Sequence, residues 1–155
     1  MKVVLVNQTK VKTPEIREKR LQAVCDTILT YLQARRVRNQ KWLTQKAEIS
    51  IVLLTEREMK KINKHFRGKD KATDILSFES ADATSLGELL ICFDVIKAQA
   101  RRHGHPVADE LLYMLIHGIL HLLGYDHEAS AAEEKLMFDL QDKCFDSSRR
   151  FLPKN

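Results

Sequence analysis

The stretch "HGILHLLGYDH", residues 117–127, decides how this chain is read. His117 and His121 stand at i and i+4, so on a helix they project from one face about one turn apart. Two imidazoles need that spacing to grip one metal ion. Gly124 suits a left-handed cap that stops the helix and turns the chain back. His127 then supplies a third nitrogen from the loop. Three protein nitrogens on a zinc ion leave a fourth position open, the pattern of a catalytic rather than a structural site. A lone histidine on an apolar helix is more often a core residue satisfied by one hydrogen bond. Three at this spacing differ, because burying three unpartnered imidazoles costs several kcal/mol.

Outward from these residues, Leu111 to Leu123 is apolar nearly all round, which marks a buried helix. Pro106 suits its first turn, and Asp109 and Glu110 complement the positive end of its dipole. Ser130-x-x-Glu133 reads as a capping box opening a last helix, whose apolar face is Leu136, Met137, Leu140 and Cys144. Residues 146–155 read as a loose C-terminal tail. Upstream, 2–6, 47–54, 73–78 and 87–93 read as strands. Thr13-Pro14 reads as the start of an amphipathic helix over 14–35. Further helices fall at 55–65 and 94–103. The expectation is an α+β fold in one domain, 1–155: a small mixed four-stranded sheet flanked by about five helices, with the histidine-bearing helix central.

The composition fits an ordinary globular chain, with 44% apolar and 30% charged residues among 155. The apolar run near the N-terminus is too short for a signal peptide, and no stretch approaches the roughly 18 residues of a membrane span. A cytoplasmic protein with no membrane partner is expected. Cys25, Cys92 and Cys144 are widely spaced and odd in number, so buried free thiols are expected. The net charge of +5 is concentrated. Residues 35–46 hold five basic and no acidic residues, with Trp42 among them; residues 57–71 hold seven basic residues against Glu58 and Asp70. Each run alone reads equally as a solvated face; two together favour a nucleic-acid surface.

The histidine spacing is also that of the zinc protease signature H-E-x-x-H-x-x-G-x-x-H, which makes the helix zincin-like. The position of the catalytic glutamate is Gly118. Peptide hydrolysis by that route is disfavoured. Phosphodiester cleavage asks instead for neutralisation of developing negative charge, which a metal and a guanidinium supply. Arg67 is the best placed guanidinium, in a turn leading to the strand at 73–78, although charge alone does not single it out from its basic neighbours. Asp126 and Glu128 flank His127 and read either as acceptors for an imidazole N–H or as a solvated turn. Glu110 reads either as a ligand-orienting residue or as a helix N-terminal charge. His103 and His105 read as surface residues.

"HGILHLLGYDH" is similar to the H-G-x-L-H-L-x-G-Y-D-H signature of the YbeY family, bacterial rRNA maturation factors described as metal-dependent endoribonucleases. "NKHFRGKDKATDILSF" (63–78) resembles that family's N-x-x-x-R-x-K-x-x-x-T-D-V-L-S-F block, and "LGELLICFDVIKAQA" (86–100) its L-G-D-I-x-I block. The likeness spans roughly 50–130. Ala72, Ile75 and Glu88 depart from the usual proline, valine and aspartate. The resemblance implies one zinc ion held by His117, His121 and His127, and Arg67 at work in catalysis or RNA binding; Arg67 and His117 are the expected catalytic residues. It implies cleavage of single-stranded RNA, maturation of the 3′ end of small-subunit rRNA, and ribosome quality control. Partners would be the small ribosomal subunit and assembly factors. Thr73 and Asp74 also match the family; read from the residues they cap a turn before a strand. Two alternatives stand beside this reading: a zinc peptidase using Glu128 as base, and a non-catalytic RNA-binding assembly factor containing zinc.

Overall fold

In the computed structural model, which describes residues 1–152, four strands form one mixed sheet in the order β1-β2-β4-β3. β1 (Lys2–Asn7), β2 (Glu48–Leu53) and β4 (Ser85–Ile91) are parallel, and β3 (Ile75–Phe78) is an antiparallel edge strand on β4. The helices are α1 (Glu18–Gln33), α2 (Trp42–Gln45), α3 (Glu56–Arg67), α4 (Phe93–His103), α5 (Val107–Leu122) and α6 (Ala131–Phe151).

Strand alternation sorts the sheet into two faces. Ile49, Ile51 and Leu53 of β2, Ile75 of β3 and Leu89 and Ile91 of β4 join the large core with α1 and α5. Val52, Leu76 and Leu90 point the other way, into a smaller cluster with Met59 and Ile62 of α3. The histidine helix α5 is thus packed between sheet, α1, α4 and α6, as its nearly continuous apolar sequence requires.

Two glycines set how closely α5 approaches the sheet. A Cβ at Gly118 would lie 2.7 Å from Ile75 Cδ1 and 2.8 Å from Leu89 Cδ2. One at Gly87 of β4 would lie 2.6 Å from Leu122 Cδ2. The α+β architecture, the mixed four-stranded sheet and the central zincin-like helix are as expected, with α2 an additional short helix.

Three local expectations are corrected. The helix over 14–35 is two pieces: a 3-10 turn, Pro14–Ile16, then α1. Arg17 between them is extended (φ −66°, ψ 140°), and the break lets both Ile16 and Leu21 reach the core. The loose tail is not loose through Phe151, because α6 continues to that residue. Its inner face runs on through Met137, Gln141, Cys144 and Ser148, all buried. Gln141 and Ser148 are polar, so a search for apolar periodicity stops short of them. The remainder of that tail, 153–155, lies outside the described residues. At Ser130, the hydroxyl accepts from Glu133 N–H at 3.1 Å, but the box is half built. The Glu133 carboxylate is drawn to Arg38 instead. A complete capping box forms at α3, between Thr55 and Glu58.

Candidate metal centre and nucleic-acid cleft

His117 and His121 lie on the last turns of α5, and His127 returns from the loop after Gly124, whose φ is +96°. The three rings form a triangle with centroids 4.6, 5.0 and 5.2 Å apart. One ring nitrogen from each lies within 4.8 Å of the others. The Nε2 atoms of His117 and His121 are 3.1 Å apart. Two imidazole nitrogens sharing one tetrahedral zinc stand about 3.3 Å apart, so the pair is already near a common coordination point.

The protonation states suit the same use. Burial pushes the His117 imidazole below its ordinary value, against the opposing effect of its hydrogen bond to the Gln141 amide oxygen. Burial, with repulsion from His117 and His127, pushes His121 down to about 4. Neutral imidazole is the form that binds a metal. His127 has a buried Nδ1 with no hydrogen-bond partner, so protein groups leave its ring incompletely satisfied. The donor set therefore fits a divalent metal that accepts three imidazoles.

Gln141 escaped sequence reading. Its Oε1 lies 3.0 Å from His117 Nδ1, and its Nε2 donates to the Tyr113 carbonyl at 3.2 Å. The amide, fully buried on α6, is thereby oriented to accept the Nδ1 proton, which leaves Nε2 of His117 as the lone-pair nitrogen facing His121. The sequence offered no signal beyond a glutamine at a core-facing position.

The turn that carries His127 is held from an unexpected side. Asn39 Nδ2 donates to the Leu123 carbonyl at 2.9 Å, and Arg38 Nη1 donates to the Gly124 carbonyl at 3.3 Å. The Arg38 backbone N–H donates to the Tyr125 hydroxyl, and the Arg38 guanidinium makes a two-pronged pair with Glu133 at 2.6 Å. These residues belong to the first basic run, where charge had pointed to nucleic acid. Here they clamp the end of α5.

Arg67 is the last residue of α3, with Gly68 as its left-handed cap, rather than part of a turn. Its Nη2 lies 3.3 Å from Glu128 Oε1, which in turn stands 3.9 Å from His127 Nε2. Arg67 and the three histidines share one open cleft of about 500 Å³, walled by Ile75, Leu76 and Ser77 of the edge strand. The second basic run thus reaches the histidines through its arginine. Asp126 accepts from the Glu128 backbone N–H and holds the turn. Glu110 groups with His103 and His105, at the far end of α5. Asp74 accepts from Ile75 N–H at 2.7 Å, the turn-capping role read for it, and also lines the cleft.

Any side chain at Gly118 would press on the ends of the Ile75 and Leu89 side chains, which would have to shift, so the position is crowded as well as lacking the glutamate. Its carbonyl accepts from Ser77 Oγ at 3.3 Å, which ties the helix to the cleft wall.

A family model described as Endoribonuclease YbeY matches residues 6–149. A curated relative of that name from Bdellovibrio bacteriovorus is 44% identical over 146 residues, covering 94% of each chain. Another, from a Sulfurihydrogenibium species, is 42% identical over 148 residues, covering 92% of this chain and 90% of its own. A solution structure from Thermotoga maritima is 29% identical, with a TM-score of 0.61, over 94% of this chain and 88% of that one. Sequence over nearly the whole length, the shared fold and the three-histidine centre agree: the chain belongs to the Endoribonuclease YbeY family.

Proposed function

We propose that the protein is a metal-dependent endoribonuclease that cuts single-stranded RNA, with zinc, one ion per chain, held by His117, His121 and His127. The observation that carries this reading is the convergence of three imidazoles and the Arg67 guanidinium in one cleft where position 118 is a glycine and no carboxylate follows the first histidine. A bound divalent cation supplies Lewis acidity toward a phosphoryl oxygen. Arg67 binds the scissile phosphate and neutralises charge that develops on its oxygens. Glu128 pairs with Arg67, and the exposed pair is weak enough for a phosphate to displace it. His117 acts as ligand and catalytic residue, its tautomer set by Gln141.

The physiological substrate proposed is rRNA, at the 3′ end of the small-subunit species, with the small ribosomal subunit and assembly factors as partners in the cytoplasm. Support comes from the family, from the basic face of α3, and from the lack, among described residues, of any helix long and apolar enough to cross a membrane. The peptidase alternative is not favoured: the relatives are named endoribonucleases, and Glu128 is engaged with Arg67.

The test is incubation of pure protein with single-stranded RNA, with and without chelator. Cleavage should require metal and should vanish in His121→Ala and Arg67→Ala. Robust cleavage by both variants would assign the activity to a contaminant and overturn the proposal.

A further inference from the structure

Phe66 immediately precedes Arg67 at the C-terminal end of α3, and 61% of it is exposed. Single exposed apolar residues are ordinary on protein surfaces. This one is part of an aromatic assembly. Its ring meets Phe78 at 5.0 Å and 65°, and His65 at 4.7 Å and 88°. Phe78 is anchored, since it ends β3 and packs against the smaller core cluster. The Phe66 ring is thus supported from below while most of it stays in water.

Its neighbours give the second observation. Arg67, next to Phe66, and Ser77 and Glu79, on either side of Phe78, line the histidine cleft, so the aromatic pair adjoins it in the chain at both α3 and β3 while the rings themselves lie outside its lining. The face around them is basic, with Lys60, Lys61, Lys64, Lys69 and Lys71 exposed and Asp70 set among them. Aromatic rings on a basic track are how single strands are bound without base pairing: the cations follow the phosphates, and each ring takes the face of an unpaired base.

We infer that Phe66, buttressed by Phe78, is a base-stacking subsite that takes a nucleobase of single-stranded RNA next to the nucleotide whose phosphate Arg67 engages. The inference rests on the ribonuclease reading above. It makes Phe66 a binding and positioning residue: an RNA strand stacked there enters the cleft across the edge strand. Duplex RNA has no free base face to offer, so the subsite also gives the preference for single strands a physical source.

The test is fluorescence anisotropy on the full chain, with a short labelled single-stranded RNA and an abasic ribose-phosphate oligomer of equal length. Phe66→Ala should weaken RNA binding roughly ten- to hundred-fold. Phe66→Trp should restore it, and Phe66→Leu should not. The salt dependence should keep its slope in all three variants, because no charge changes. On the abasic oligomer, wild type and Phe66→Ala should bind alike. Equal RNA binding by wild type and Phe66→Ala, or an equal loss on the abasic oligomer, would overturn the inference and leave the aromatic pair as a protein contact. In either case metal-dependent cleavage by the wild type would persist, so the ribonuclease reading would stand. A wild type with no salt-sensitive RNA binding would instead sink both.

Discussion

Two basic runs of similar composition do different work in this molecule. Residues 35–46 are largely spent on the protein itself. Arg38 and Asn39 hold the carbonyls that end α5, Arg38 pairs with Glu133, and the Arg35 guanidinium lies 3.5 Å over the Tyr31 ring. The basic side chains of residues 57–71 stay in water along α3 and just past its end, and the run delivers Arg67 to the histidine cleft. Charge density did not separate them. What separates them is what each faces: unsatisfied helix-end carbonyls in one case, an open cleft in the other.

The sharpest way to break that contrast is Arg67→Ala. Losing one guanidinium aimed at developing charge should cut kcat on single-stranded RNA by on the order of 10²–10³-fold, with the unfolding curve unchanged. A loss of fold instead would make Arg67 a structural residue like Arg38. Gln141→Leu should follow in size. It leaves the His117 Nδ1 proton unsatisfied, and metal affinity, read by chelator competition, should fall about 10–100-fold. An unaltered affinity would mean that the buried amide merely fills space.

Gly118→Ala probes the packing at the position where a protease carries its glutamate. The overlap with Ile75 and Leu89 should outweigh the helix propensity gained, for a net loss of roughly 1 kcal/mol in denaturant unfolding. Gly118→Glu should be far worse and should confer no peptide hydrolysis. A stable Gly118→Glu variant would show that the helix can lift from the sheet.

The smallest effects separate the runs directly. Lys69→Ala should lower the slope of log affinity against log salt by about one, as loss of one phosphate contact does. Arg38→Ala should leave that slope alone and lower the melting temperature, because its guanidinium serves Glu133 and Gly124. The opposite pattern would exchange the roles assigned to the two runs.

Much of this was legible in the chain. The four strands and the longer helices follow from apolar periodicity, and the histidine triangle follows from i, i+4 spacing plus a glycine stop. Other features lay beyond local pattern. Gln141 and Ser148 are polar residues buried on α6, and periodicity counts only apolar ones. The Arg38 clamp joins residues 95 apart in sequence to the Glu133 carboxylate. Ser130-x-x-Glu133 promised a local box, and a tertiary partner took the acid. The crowding at Gly118 depends on two strands that approach only in the fold, so a missing side chain read as a chemical absence also makes room for the Ile75 and Leu89 side chains. Charge alone does not set Arg67 apart from its basic neighbours, and its position in the cleft supplies the physical reason that composition lacks.

Metal analysis of the native protein tests the central claim most directly. The account predicts one zinc per chain in the wild type, lost in His121→Ala while the fold is retained. A native protein that carries no divalent metal and gains none on titration would contradict it.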